Sequence, residues 1–346
     1  MKFSIAVLLG AAAWLAGPHA QAIVAIDYIT VGNPGNAPDQ NYGQGAFGAV
    51  SQTFAIGKYE VTNTQYTEFL NTVDPAAANS FSLYNASMSS DARGGINRDF
   101  GAPAGSKFSL KTGYENRPVV FVSFMDAIRF ANWLNNGQGS GSTETGAYTL
   151  SLGGLAPRNA GATVWVPSEN EWYKAAYHQP VAQGGDADNY WLYPTRSNAI
   201  PNSRPPNGTD PNSANFIRDD GSPDDFLNDG YATTGSTTLN NALNYLTDVG
   251  AYTQSGSFYG TFDQGGNTYE WNDAVIGSGR GGRGGSWFFG DENDLRASFR
   301  PGGSNPTNEG FGIGFRVATV PEPSCAMLMI GSALMWLARR RRGSSL

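Results

Sequence analysis

The stretch GGRGGSWFFGDENDLRASFRPG, from Gly281 to Gly302, sets an indole, three phenylalanines and the acids Asp291, Glu292 and Asp294 among glycine turns. Carboxylates beside aromatic rings can hold polar ligands or move protons. What is absent narrows the chemistry further. The chain of 346 residues has one cysteine, Cys325, and two histidines, His19 and His178. Between residues 23 and 324 there is no thiol, so an internal disulfide there is excluded, as are a zinc site built from Cys and His and a two-histidine iron site. A Ser-His-Asp triad would have to use His178, which sits in a polar stretch after a helix. Carboxylates, tyrosines and lysines are the reactive groups that remain, and no catalytic residue is assigned.

The elements that must position these groups follow from capping and periodicity. Thr62-Asn63-Thr64-Gln65 is a capping box, with Tyr66, Phe69, Leu70 and Val73 at helical spacing behind it. Ser123 opens a second helix with Ala127, Phe130, Ala131 and Leu134 on one face and Gly137 as its stop. Ser168-Glu169-Asn170-Glu171 caps a third, with Trp172, Ala175 and Ala176 as the buried stripe. Helices are thus predicted over 63–73, 124–136 and 169–177, with strands before them at 53–56, 119–122 and 163–166. Between them run long Gly, Asn, Ser, Asp and Pro-rich stretches at 84–117, 136–162 and 179–240. With 45 glycines and 19 prolines the fold must be loop-rich, and loops this long are rarely idle. No repeat or linker divides residues 50–318, which read as one α+β domain after an N-terminal segment at 23–49.

The ends carry their own signals. Lys2, an apolar run from Ile5 to Ala16 and Ala20-Gln21-Ala22 form a secretory signal peptide over 1–22. Residues 319–346 hold Pro321-Glu322-Pro323, an apolar run from Cys325 to Ala338 and Arg339 to Arg342. As a helix that run spans roughly 21 Å, short against a hydrocarbon core of about 30 Å. The tail resembles a PEP-CTERM sorting signal. That resemblance implies a Gram-negative cell, an exosortase-type protease as partner, cleavage near the motif, and export to the envelope or surface with transient or single-span membrane contact. The net charge is −7 and no basic patch suggests nucleic acid.

Six blocks in order, FAIGKYEVTNTQYTEFLN, RPVVFVSFMDAIRFANWLN, WVPSENEWYKAAY, FDQGGNTYEWNDAV, RGGSW and GFGIGFRVA, resemble the formylglycine-generating enzyme (sulfatase-modifying factor) family. The resemblance implies a C-type-lectin-like α+β fold with little regular secondary structure. Family enzymes oxidise a substrate cysteine with a copper-binding cysteine pair, and the matching positions here are Phe289 and Asp294. Soft Cu(I) favours thiolate or thioether ligands, so the oxidase chemistry is not supported. The iron-dependent sulfoxide synthases of the same fold need histidines this chain lacks. No copper, iron or zinc is expected.

The resemblance also implies structural calcium. One site would use Asn267 and Glu270 by side chain with Gly265 and Thr268 by carbonyl. The other would use Asn215 and Asp229 by side chain with Phe216 and Tyr231 by carbonyl. Hard Ca²⁺ takes such oxygen sets, which could pin loops that bury little apolar surface. Gly284 to Trp287 read as a tight turn that packs an indole, and Arg300 and Arg316 as scaffold ion pairs. Trp287, Phe288, Phe289, Asp291, Glu292 and Asp294 form a candidate ligand groove suited to sugars or peptides. The expectation is an exported, non-catalytic binding or structural module of the envelope or extracellular polymer. The alternative is a family enzyme with cysteine-independent chemistry.

Overall fold

The computed structural model describes residues 23–40, 45–222, 227–288 and 291–321. The signal peptide, Phe289, Glu322, Pro323 and the C-terminal apolar run lie outside these residues. No helix among the described residues is long and apolar enough to cross a membrane.

All three capping boxes form. α1 spans Asn63–Val73, α2 Phe124–Asn135 and α3 Glu169–Tyr177. In each, the N-cap hydroxyl accepts from the third backbone amide while that residue's side chain accepts from the N-cap amide. This satisfies two orphan donors per helix, and losing one such cap costs about 1 kcal/mol. The apolar faces of α1 and α2 meet through Tyr66, Phe69, Phe130 and Trp133, with ring centroids 5.3–6.1 Å apart.

Two sheets receive the helices. The first runs β1 (Tyr28–Val31), β2 (Phe54–Gly57), β7 (Ala318–Thr319) and β3 (Val164–Trp165), antiparallel throughout. The segment 23–49 therefore supplies an edge strand of this sheet, with Val31 buried. The second runs β5 (Gly279–Arg283), β4 (Tyr269–Ile276) and β6 (Ile313–Phe315). There β4 and β5 form a hairpin bulged between Asn272 and Val275, and β6 lies parallel to β4. Short two-stranded ribbons, Ile96–Arg98 with Phe108–Leu110 and Ile217–Asp219 with Asp229–Tyr231, order the long loops.

One predicted strand is absent. Residues 119–122 are buried but irregular, because their amides bond different segments. The Val119 amide reaches Val61 O and that of Phe121 reaches Gly310 O. Phe121 also takes a left-handed backbone (φ 62°), which no continuous ladder tolerates.

Candidate functional site

Strand alternation at β4 decides which residues meet ligand. Side chains of successive strand residues point to opposite faces, so Tyr269 and Trp271 share one side and Glu270 takes the other. Over the first side lies a cavity of about 360 Å³ lined by Tyr269, Glu270, Trp271, Gly282, Asp294, Pro301, Ser304 and Ile313, although the Glu270 carboxylate itself is buried against Arg316. Gly282 faces Trp271 across the hairpin and Ile313 faces Tyr269 across the parallel pair. The Trp271 indole N–H points away, donating to Val122 O at 3.1 Å.

Tyr269 Oη donates to Asp294 Oδ2 at 2.8 Å. Burial, with Asp294 adding its charge, pushes the Tyr269 hydroxyl far above its ordinary value. Burial also raises the Asp294 carboxyl, opposed by the Tyr269 hydrogen bond and assisted by Asp291. The phenol is thus locked as a donor and is no nucleophile. The second Asp294 oxygen has no donor among the described residues, and Asp294 lines the cavity.

The opposite side of β4 is closed. Glu270 is fully buried and its carboxylate takes a guanidinium fork, Arg316 Nε and Nη2 each at 2.6 Å, plus Trp172 Nε1 at 2.8 Å. Arg316 also donates to the carbonyls of Gly57 and Phe262 at 2.9 Å each, tying β2 to the loop before β4. Glu60 and Asp263 crowd the same guanidinium. Burial pushes Glu60 well above the carboxylate range, with Asp263 and Glu270 adding to the shift. Burial likewise raises Asp263 to about 6.

Residues 35–320 match the sequence profile described as the sulfatase-modifying factor enzyme 1-like domain. The chain belongs to this family. Among solved structures it is similar to CarF, at 20% identity over 87% of this chain and 100% of that one, with a TM-score of 0.51. PvdO from Pseudomonas aeruginosa matches at 18% identity over 86% and 92%, TM-score 0.41. Variable protein 1 of Treponema denticola matches at 18% over 88% and 98%, TM-score 0.47. No curated protein matches the sequence. The profile match and the likeness to CarF establish the sulfatase-modifying-factor fold.

Within that fold the expected groove comes apart. Asp294 lines the cavity, while Trp287 is buried 4.8 Å from the Tyr245 ring and Phe288 packs on Phe311 at 5.0 Å. Their rings build the core beside the site, and neither lines the cavity. Asp291 is exposed and caps its own turn by accepting from the Asn293 amide at 2.8 Å. Glu292 is half-buried and does not line the cavity. Phe289 lies outside the described residues. Sequence reasoning gave Tyr269, Gly282, Pro301, Ser304 and Ile313 no role. The alternation Tyr-Glu-Trp in β4 is the signal that separates the two faces.

The family's calcium positions fare differently from each other. Glu270 is given to Arg316, and Asn267 Oδ1 accepts from Asn215 Nδ2 at 3.0 Å and the Thr247 amide at 3.1 Å. The Asn267 amide nitrogen donates to Glu60 Oε1 at 3.0 Å. A calcium ion at Gly265, Asn267, Thr268 and Glu270 would face a buried guanidinium, so this set does not fit one. Its glycine turn has another purpose: at Gly266 (φ 85°) an added Cβ would lie 2.3 Å from Asn215 O.

The second set lies along one ribbon: Asp229 pairs with Asp219 at one end and Tyr231 with Ile217 at the other, and Phe216 and the buried Asn215 precede Ile217 in the chain. Carbonyls converge here, since Ser203 Oγ lies 2.7 Å from Phe216 O and 2.9 Å from Gly230 O. Tyr231 O already accepts from the Thr234 and Gly235 amides at 3.0 and 2.8 Å. Among the described residues no three Asp, Glu, His or Cys gather as a metal cluster. The oxygen set is therefore mainly amide and carbonyl, with Asp229 as its acid.

The remaining histidine is structural. His178 is buried, its Nδ1 is 2.8 Å from Tyr259 Oη, and its ring stacks on Tyr259. Burial, then the charge of Lys174, lowers its pKa to about 4. Arg300 and Arg283 both pair with Glu169 at 2.7 Å, as scaffold contacts.

Proposed function

We propose that this member of the family is an exported, surface-associated binding module in which the cavity over β4, β5 and β6 holds ligand and performs no thiol oxidation. The observation that carries the reading is Asp294. The family resemblance aligns this position with a copper-binding thiol, and here a carboxylate stands there, hydrogen-bonded to Tyr269 on the wall of an open cavity. No cysteine exists between residues 23 and 324 to supply a soft ligand. A cavity of this size lies within the range of small-ligand sites, and its apolar wall with one placed polar pair matches their usual make-up.

Export rests on the signal-peptide pattern over 1–22, and envelope attachment on Pro321-Glu322-Pro323, the apolar run and the arginines after it. The partners this implies are an exosortase-type protease and a ligand outside the cell, either polysaccharide or peptide. Calcium is proposed at Asn215, Phe216, Asp229 and Tyr231 alone, because the buried guanidinium that pairs with Glu270 rules out the other set.

A glycan and peptide binding screen of the purified protein tests the reading, with Gly282→Leu as the blocking variant. A Cβ at Gly282 meets nothing closer than 3.7 Å, so leucine is tolerated by the strand and fills the cavity. Ligand retained by the wild type and lost in the variant supports the module. Ligand retained equally by both puts binding elsewhere.

A further inference from the structure

The cavity's walls and its charge do not match in an ordinary way. Tyr269, Trp271, Pro301 and Ile313 give it apolar sides, and Ser304 adds one hydroxyl. Neither lysine nor arginine lines it. Asp294 forms no ion pair among the described residues, and its one hydrogen-bond donor there is the neutral Tyr269 hydroxyl. A half-buried carboxylate of this kind favours a positive charge delivered to its free oxygen. Asp291 nearby and the chain's net charge of −7 add to the negative potential.

The geometry points to a lysine or arginine side chain of a partner polypeptide as the group that fills this cavity. The inference rests on the proposal that the cavity is a binding site, and it names the ligand class. A long basic side chain is an apolar stem with a charged end. Its methylenes suit Pro301, Ile313 and the Tyr269 ring, while its cation meets Asp294 and the ring face of Tyr269. A neutral sugar fits less well, because a ring of hydroxyls needs several directed partners and Tyr269 Oη is already committed to Asp294. An amino sugar has the charge but no stem for the apolar walls.

The test titrates the full-length chain with blocked pentapeptides Gly-Gly-X-Gly-Gly, followed by calorimetry and by the intrinsic tyrosine and tryptophan fluorescence. X is lysine, arginine, norleucine or acetyl-lysine, and an oligomer of glucosamine is a further probe. The lysine and arginine peptides should bind roughly tenfold more tightly than norleucine or acetyl-lysine, the factor that 1.4 kcal/mol represents. Asp294→Asn keeps the Tyr269 hydrogen bond and should remove that preference, while Asp291→Asn should change it less than twofold. Equal binding of lysine and norleucine peptides would overturn the ligand class and leave the binding site standing. Asp294-dependent binding of the glucosamine oligomer without the peptides would overturn the polypeptide assignment. If none of these probes binds while the screen still finds a Gly282-sensitive ligand, the cation reading falls alone.

Discussion

On one side of β4 Glu270 is sealed against Arg316 and Trp172 with every oxygen used. On the other, Tyr269 and Asp294 leave an oxygen facing an open cavity. The two acids differ in what surrounds them rather than in type. Glu270 meets a cation supplied by the chain itself, so it holds β2, β4 and the preceding loop together. Asp294 meets none, so its charge is left for something outside the chain. The two sides of one strand thus answer to separate demands.

The largest expected effect breaks the closed side. Removing one partner of a buried ion pair leaves the other charge stranded, at about 3–5 kcal/mol. Glu270→Gln and Arg316→Met should each lose that much in urea unfolding. A loss under about 1 kcal/mol would show that the pair does not hold the frame. The substitution Asp294→Asn should change stability by less than about 0.5 kcal/mol, and that contrast is the comparison in its sharpest form.

A smaller effect comes from an acid buried without an ion pair among the described residues. Asp126, the capping-box acid of α2, is raised to about 7 by burial, opposed by its Ser123 hydrogen bonds and assisted by Glu309. Its folded pKa exceeds its unfolded value near 3.8. The folded state therefore binds the extra proton, and stability falls as pH rises from about 4 to about 7. For this group the loss between pH 5 and pH 8 is about 2.6 kcal/mol. Asp126→Asn, which can still accept from Ser123, should flatten the profile of melting temperature against pH. An unchanged slope would place the proton elsewhere.

Calcium gives a smaller increment. If the Asn215 and Asp229 set binds calcium as proposed, it contributes about 1.4 kcal/mol at ten times Kd, and extracellular sites can need millimolar calcium. The melting temperature should rise with calcium and return with chelator. Asp229→Ala should abolish the shift, while Glu270→Gln, although destabilised, should keep it. A shift lost in Glu270→Gln and kept in Asp229→Ala would reverse the assignment of the two regions.

Much of the frame was legible in the sequence. Thr62, Ser123 and Ser168 announced three helices, because capping is local and each hydroxyl finds its amide within one turn. Val119 to Val122 misled, since an apolar run reads the same whether it joins a ladder or threads irregularly through a core. The motif Asn267 to Glu270 was recognisable, but Arg316, 46 residues downstream of Glu270, determines whether that carboxylate meets a metal or a guanidinium. Trp287 and Phe288 looked like a groove because they adjoin the acids in sequence. In three dimensions the turn at Gly284 and Gly285, both with left-handed φ, sends Trp287 inward and leaves Asp294 on the cavity. The long-range pairing of β4 with β6, which brings Ile313 beside Tyr269, had no local signature.

The central claim is that the family frame here carries a binding site without thiol chemistry. Its most direct test supplies the purified protein with copper, oxygen and a cysteine-containing sulfatase-type peptide, and reads the peptide by mass spectrometry. The account predicts no formylglycine above the control without protein. Conversion of the cysteine well above that control would contradict it.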